Sequence, residues 1–425
     1  MSRIRLRIVM LVAAVVAGVV SPAVAEASSY EQRDPIRITK NDQFTLANGV
    51  RSGSGTAEDP YVISGWKLSR LEIRDTSAHV VIRDNHITSH MVLDWIGPGV
   101  TVEDNLINDL RVNQNVRRTG AATSGVIRDN RFGIIGQLRH FDGVFTRNRV
   151  DVTDSMFDVV FDAFGSHRRA VNFDGWNGAR FTRNVIRGGY VEVRLHGHHH
   201  GSGFGEHSHH HAPGHAEPVD HSKRYHRVWV SNNEITVDEG PALIYTDTAH
   251  VANDRTAASE QNEELNKPHQ HWTQAYLRNN TLRGGGVQVQ IFNARDERHV
   301  ATNRGILEIS GNEITLAAPE RKVFGHHVAG IDVWDAVDVD LRIEHNRITG
   351  PGAPEGLDPF AGYPAGLRID GINKADIYLL DNKLSHFEFG LELYRFGKDV
   401  TWHASRLKMD DVRQPVRSDG STTGP

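Results

Sequence analysis

No cysteine occurs anywhere in the 425 residues. That excludes disulfides and a lipid carried on an N-terminal Cys, and leaves packing and hydrogen bonds to hold the fold. No long basic run with interleaved aromatics is present, which argues against nucleic acid as a partner. Helical periodicity is scarce as well. Apart from one stretch near the N-terminus, nothing approaches the ~20 consecutive apolar residues that a membrane-spanning helix needs.

That one stretch has the order of a secretory leader. Arg3, Arg5 and Arg7 precede an uncharged apolar run from Ile8 to Val20, followed by Pro22 and the small-residue triplet Ala23-Val24-Ala25. We therefore expect residues 1–25 to be a signal peptide cleaved before Glu26, with a retained N-terminal anchor as the alternative. The mature chain would be secreted or held in the cell envelope, with no membrane span. Losing the three leader arginines takes the formal charge from −5 to −8. A 38% hydrophobic content over this length is enough for one large core.

Ten short segments repeat along the chain, among them VVIRDNHIT from residue 80, VWVSNNEIT from 228 and LRIEHNRIT from 341. Their common residues are Asn85, Asn105, Asn130, Asn148, Asn184, Asn233, Asn280, Asn312, Asn346 and Asn382. Three positions before and two positions after each Asn stands a large apolar residue. This is the pattern of a strand, a bend at Asn and a second strand. Asn tolerates the left-handed backbone of a sharp bend, and its amide can bond the same amide in the next coil. A leucine-rich repeat has units of similar length, but it requires leucine dominance and a helical return, and here β-branched residues dominate.

The expected fold is all-β: a right-handed parallel β-helix, a single-stranded solenoid of about ten to thirteen coils with long loop insertions in the C-terminal half. Its expected divisions are an N-terminal cap and entry segment over 26–59, the β-helix over 60–398, and a cap or disordered tail over 399–425. The interval from Asn148 to Asn184 is long enough to hold an extra coil without its Asn.

These repeats resemble those of the pectin-lyase-like superfamily, and Gly53 to Trp66 (GSGTAEDPYVISGW) is similar to the entry segment of its exported repeat proteins. The resemblance covers roughly 60–398. It implies a substrate tendency towards polysaccharide. The families it spans include lyases, glycoside hydrolases, epimerases, adhesins and a periplasmic maturation factor for a copper enzyme, so it does not imply one activity. No catalytic motif of any one enzyme family is present.

A second recurring segment, Gly or Ala followed by alternation, begins at residues 170, 190, 242, 286, 329, 365 and 389. Val191, Val193, Val287, Val289, Ile331, Val333, Leu367, Ile369, Leu391 and Leu393 are its inward residues. Stacking the strands predicts one outward row of Asn172, Glu192, Leu243, Gln288, Asp332, Arg368 and Glu392. A second row reads Asp174, Arg194, Tyr245, Gln290, Trp334, Asp370 and Tyr394. Asp332, Asp370, Glu192, Arg194 and Arg368 are the candidate catalytic residues. Trp334, Tyr394, Tyr245, Gln288 and Gln290 are the candidate substrate contacts, by hydrogen bonds and ring stacking. Carboxylates one coil apart suit a retaining glycosidase and two coils apart an inverting one, while an arginine or tyrosine near a substrate carboxylate suits β-elimination. The insertions at 197–227, 248–271 and 293–305 follow this strand and those at 316–328 and 350–364 precede it, which predicts a walled groove.

Residues 196–226 hold 11 of the 25 histidines. His196, His198, His199, His200, His207, His209, His210 and His211 are candidate ligands for zinc, copper or nickel, with a flexible metal sponge or a pH-responsive segment as rivals. The leading reading is binding of an extracellular polysaccharide, with cleavage by a lyase or hydrolase route left open. The alternatives are a non-catalytic metal-binding protein of the cell envelope and a structural or adhesive surface protein.

Overall fold

The computed structural model describes residues 30–419 apart from 98, 114–124, 142, 153–158, 163–164, 176–177, 196–222, 239, 248–269, 292–304, 318–328, 353–363 and 398. The signal peptide, the histidine candidates and most of the five insertions therefore lie outside the described residues. Among the described residues no helix is long and apolar enough to cross a membrane.

The chain is a parallel β-helix. Twelve strands, one per coil, stack in one sheet that runs from Tyr61–Ser64 to Val400–Ser405. The second sheet holds 21 strands and carries both the short strand after each bend and the strand that follows it. In the early coils these two fuse into single strands such as Trp66–Thr76 and His86–Ile96, with a register shift between them. In later coils they separate, as in Glu234–Thr236 and Leu243–Asp247. Both flanking apolar positions of all ten Asn repeats are buried, so the period read from sequence marks the core wall.

The bend is built by two residues rather than one. The left-handed position is the residue before the Asn: Asp84, Asp104, Asp129, Arg147, Arg183, Asn232, Asn279, His345 and Asp381 all have φ between 53° and 59°. Holding a non-glycine residue there costs about 1–2 kcal/mol per coil. The Asn that follows offsets this cost. At Asn233, Nδ2 donates to Asn280 Oδ1 at 2.9 Å and to Phe181 O at 3.0 Å. Its Oδ1 accepts from the backbone N–H and Nδ2 of Asn184 at 2.9 and 3.0 Å. The ladder is continuous from Asn85 to Asn382. Beneath it, Phe145 stacks on Phe181 with centroids 5.1 Å apart.

The long interval from Asn148 to Asn184 contains no extra coil, because Phe145 pairs directly with Phe181. Its length goes into an antiparallel hairpin of Val159–Asp162 against the start of Gly165–Gly175. After Asn382 the repeat loses its Asn but not its geometry. Arg406 takes the left-handed position, and Val400–Ser405 and Lys408–Ser418 complete a twelfth coil in the segment expected to be a cap or tail. At the other end Ile36, Ile38, Phe44 and Val50 close the core, with Phe44 stacked on Tyr61.

One column of glycines marks where the later coils turn into the second segment. A Cβ on Gly330 would lie 2.7 Å from the carbonyl of Gly366 and against Ile348 Cγ2, and one on Gly366 would lie 2.8 Å from the carbonyl of Gly390. The neighbouring group is backbone in both cases and cannot rotate away. Gly330→Ala is therefore expected to cost about 1–3 kcal/mol by overpacking, read as a lower urea midpoint at unchanged slope.

Candidate functional site

The site lies on the strand that follows the glycine column. Register places Asn172 beside Glu192, then Ile244, Gln288, Asp332, Arg368, Glu392 and Arg417, each on the next coil. The neighbouring row reads Arg194, Thr246, Gln290, Trp334, Asp370 and Tyr394. Every predicted outward residue on this face falls where alternation puts it except Leu243, which pairs with Val191 and Val287 and is buried, and Tyr245. Tyr245 pairs with Val193 and Val289 in the apolar interior and is only 1% exposed, so it cannot stack on a ligand from outside. Ile244 and Thr246 take the outward places instead. Leu243, Ile244 and Tyr245 are apolar in both alternations, so a period of two could not choose between them.

The row also runs the length of the molecule rather than beginning near residue 170. It continues downward through Gln137, Arg111 and Val92 to Glu72 and Arg37. Its carboxylates are buried although they point away from the apolar core, and the early coils show how. Glu72 is 3% exposed beneath Arg37, Arg70 and Arg74, whose own side chains are 37–70% exposed. The arginines roof the carboxylate. Glu192 is held in the same way by Arg169 at 2.9 Å and by Arg194 Nε at 2.6 Å. Beside the row the same holds: Asp109 has Arg111, Glu388 has Arg413, and Asp370 takes Arg395 Nε at 2.5 Å and Arg368 Nη2 at 3.1 Å. Below Asp332 the carboxylates of the row, Glu72 and Glu192, are thus charge-compensated and structural.

Asp332 breaks that rule. It is 4% exposed, has no ion pair within 4 Å among the described residues, and its Oδ1 has no hydrogen-bond partner. Burial pushes its carboxyl up to about 7, opposed by the Arg368 guanidinium one coil away and by the Trp334 indole, and aided by Asp370 and Glu392. Arg368 completes the anomaly: its Nε is buried without a partner while its guanidinium lies 5.6 Å from the centre of the Tyr394 ring. Glu392, two coils above Asp332, is also raised by burial, and its Oε2 has no partner. Its Oε1 accepts from Tyr394 Oη at 2.9 Å. Burial and the adjacent Glu392 push the Tyr394 hydroxyl up to about 12, so it remains a donor.

The structure thus brings Asp332, Arg368, Trp334, Asp370, Tyr394, Gln288 and Gln290 into one patch. Glu192 and Arg194 share a strand further down the row, beyond Ile244 and Gln288, are tied to each other and to Arg169, and belong to the structural stack. The residues that alternation alone does not reveal are Arg395 and Arg417, because they come from the last coils, where the sequence pattern fades. Among the described residues no group of three or more His, Asp or Glu side chains is arranged to hold a metal.

Fold and site together define a class: a parallel β-helix with one buried, protonatable acid that has no ion pair among the described residues, on a strand face whose other buried carboxylates have arginine or hydroxyl partners. No protein-family model, no curated protein and no solved structure matches the chain.

Proposed function

We propose that this is an exported, pectin-lyase-like β-helix that binds and cleaves a polysaccharide at the patch around Asp332. The observation that carries the reading is Asp332 itself. Among the described residues the other buried carboxylates of the row keep arginine or hydroxyl partners, whereas Asp332 has no ion pair and an unbonded Oδ1, and burial raises its carboxyl to about 7. A buried group shifted towards the working pH, beside a fixed cation and an indole, is the usual equipment of proton transfer.

Two coil spacings put the strands of Asp332 and Glu392 about 9.6 Å apart, near the separation at which one carboxyl protonates the leaving oxygen while another activates water. In that scheme Asp332 gives its proton to the glycosidic oxygen as the bond to the anomeric carbon breaks. Water bonded to Glu392 attacks that carbon and passes its proton to the carboxylate. Arg368 between them stabilises the charges that move, and Gln288, Gln290 and Trp334 supply polar and ring contacts to the sugars. Both acids are buried, Asp332 at 4% and Glu392 at 2% exposure.

Incubation with uronate and neutral polysaccharides is expected to release reducing ends without unsaturated product. Unsaturated ends would move the reaction to β-elimination. No glycan bound and no product from either class of polymer would overturn the proposal.

A further inference from the structure

We infer that the C-terminal end of the β-helix is the interface of a two-fold homodimer, formed by two copies meeting end to end through their last coils. The two ends of the solenoid are built differently. At the N-terminal end the segment from Ile36 to Val50 folds over the core and buries its own apolar residues. At the C-terminal end nothing among the described residues plays that part.

The last coil nevertheless keeps the core pattern. Val400, Trp402, Met409, Val412 and Val416 pair with Ala375, Ile377, Leu384, Phe387 and Leu391, all buried, and so continue the inward columns. Yet the first four are only partly buried and Val416 is 57% exposed. A coil meant to face water would be expected to carry polar residues at these places. Beside them lie two strand edges, Val400–Ser405 and Lys408–Ser418, that end their sheets.

Charges commonly guard such edges against pairing, but here they lean back onto the coil beneath. Lys383 holds Asp410 at 2.9 Å, His386 holds Asp411 at 2.7 Å, Arg406 holds Asp381 at 2.6 Å and Arg413 holds Glu388 at 3.1 Å. The backbone edge is left open.

A second copy fits this end in three respects. Between 399 and 419 four basic residues balance four aspartates, so like ends meet without net charge. Edges of 6 and 11 residues are about 20 and 36 Å long at about 3.3 Å per residue, long enough for a partner strand to pair along them. Head-to-tail stacking is blocked by the N-terminal closure, whereas a two-fold axis across the longer edge pairs it with itself in antiparallel register and closes the assembly.

The chain's lack of cysteine makes the test clean. Sedimentation of the full chain is expected to give twice the chain mass, and Val416→Glu at least tenfold weaker association. Gln414→Cys is expected to cross-link to a dimer with a short bismaleimide, while Ser52→Cys at the other end does not. This second arm holds even if Val416→Glu is misfolded. Three results would each overturn the inference: a monomer at all concentrations up to 100-fold above the micromolar range, a larger open polymer, or a dimer that cross-links in the Ser52→Cys variant and not in the Gln414→Cys variant.

Discussion

Asn233→Ala is expected to remove on the order of 3–6 kcal/mol of stability. Its side chain makes four buried hydrogen bonds, to Phe181, Asn280 and twice to Asn184. Truncation strands the carbonyl of Phe181 together with the backbone N–H and one amide proton of Asn184. Each buried orphan costs about 1–3 kcal/mol. The same change at Asn382 should cost less, because that amide ends the ladder and its Nδ2 donates only to Ile343 O. Asn233→Asp should be worse than Ala at neutral pH, since a carboxylate cannot donate onward and faces Asn280 Oδ1. Neighbouring coils support one another, so the loss should also appear as faster amide exchange in the coils on both sides of 233. A change below about 1 kcal/mol in the denaturant midpoint would show that the ladder follows the fold rather than fixing it.

The bends were readable because one residue type does one job there. The amide ladder leaves no alternative to Asn, and the apolar residues at fixed offsets repeat with it. What sequence could not supply was the residue that bends: the left-handed position accepts Asp, Arg, Asn, Gly and His, so no letter marks it. The strand face was readable wherever alternation was strict, as in Val287 to Gln290, and misleading at Leu243 to Tyr245, where three apolar residues run together. The early half of the polar row went unseen because its strands are fused with those after the bend and shifted in register, which breaks the period. Charge compensation is the feature least visible in sequence. Arg395 and Arg417 lie a whole coil along the chain from the acids they serve, and only the stacked register separates Glu72, with three arginines in ion-pair contact, from Asp332, with no ion pair among the described residues.

That separation makes Asp332→Asn the most informative substitution. The carboxyl is raised from 3.8 to about 7 in the folded chain by burial. Between those values the folded state holds a proton that the unfolded state has released, so stability falls as pH rises through the interval, and the full cost is present above about 7. An amide of the same shape carries no such cost. Asp332→Asn is therefore expected to raise stability at pH 8 by on the order of 2–4 kcal/mol, and to flatten the decline between pH 4 and 7. If Asp332 is the proton donor, the same change lowers turnover by about 10²–10⁴-fold. Wild-type turnover should fall as pH rises past 7, when the donor loses its proton. A residue kept only to pair the stack behaves in the opposite way: Glu72→Gln should lose stability at pH 8, since it leaves three arginines without their carboxylate, and should leave turnover unchanged. Gain of stability with loss of turnover at 332, against loss of stability without loss of turnover at 72, separates the site from the scaffold within a single row.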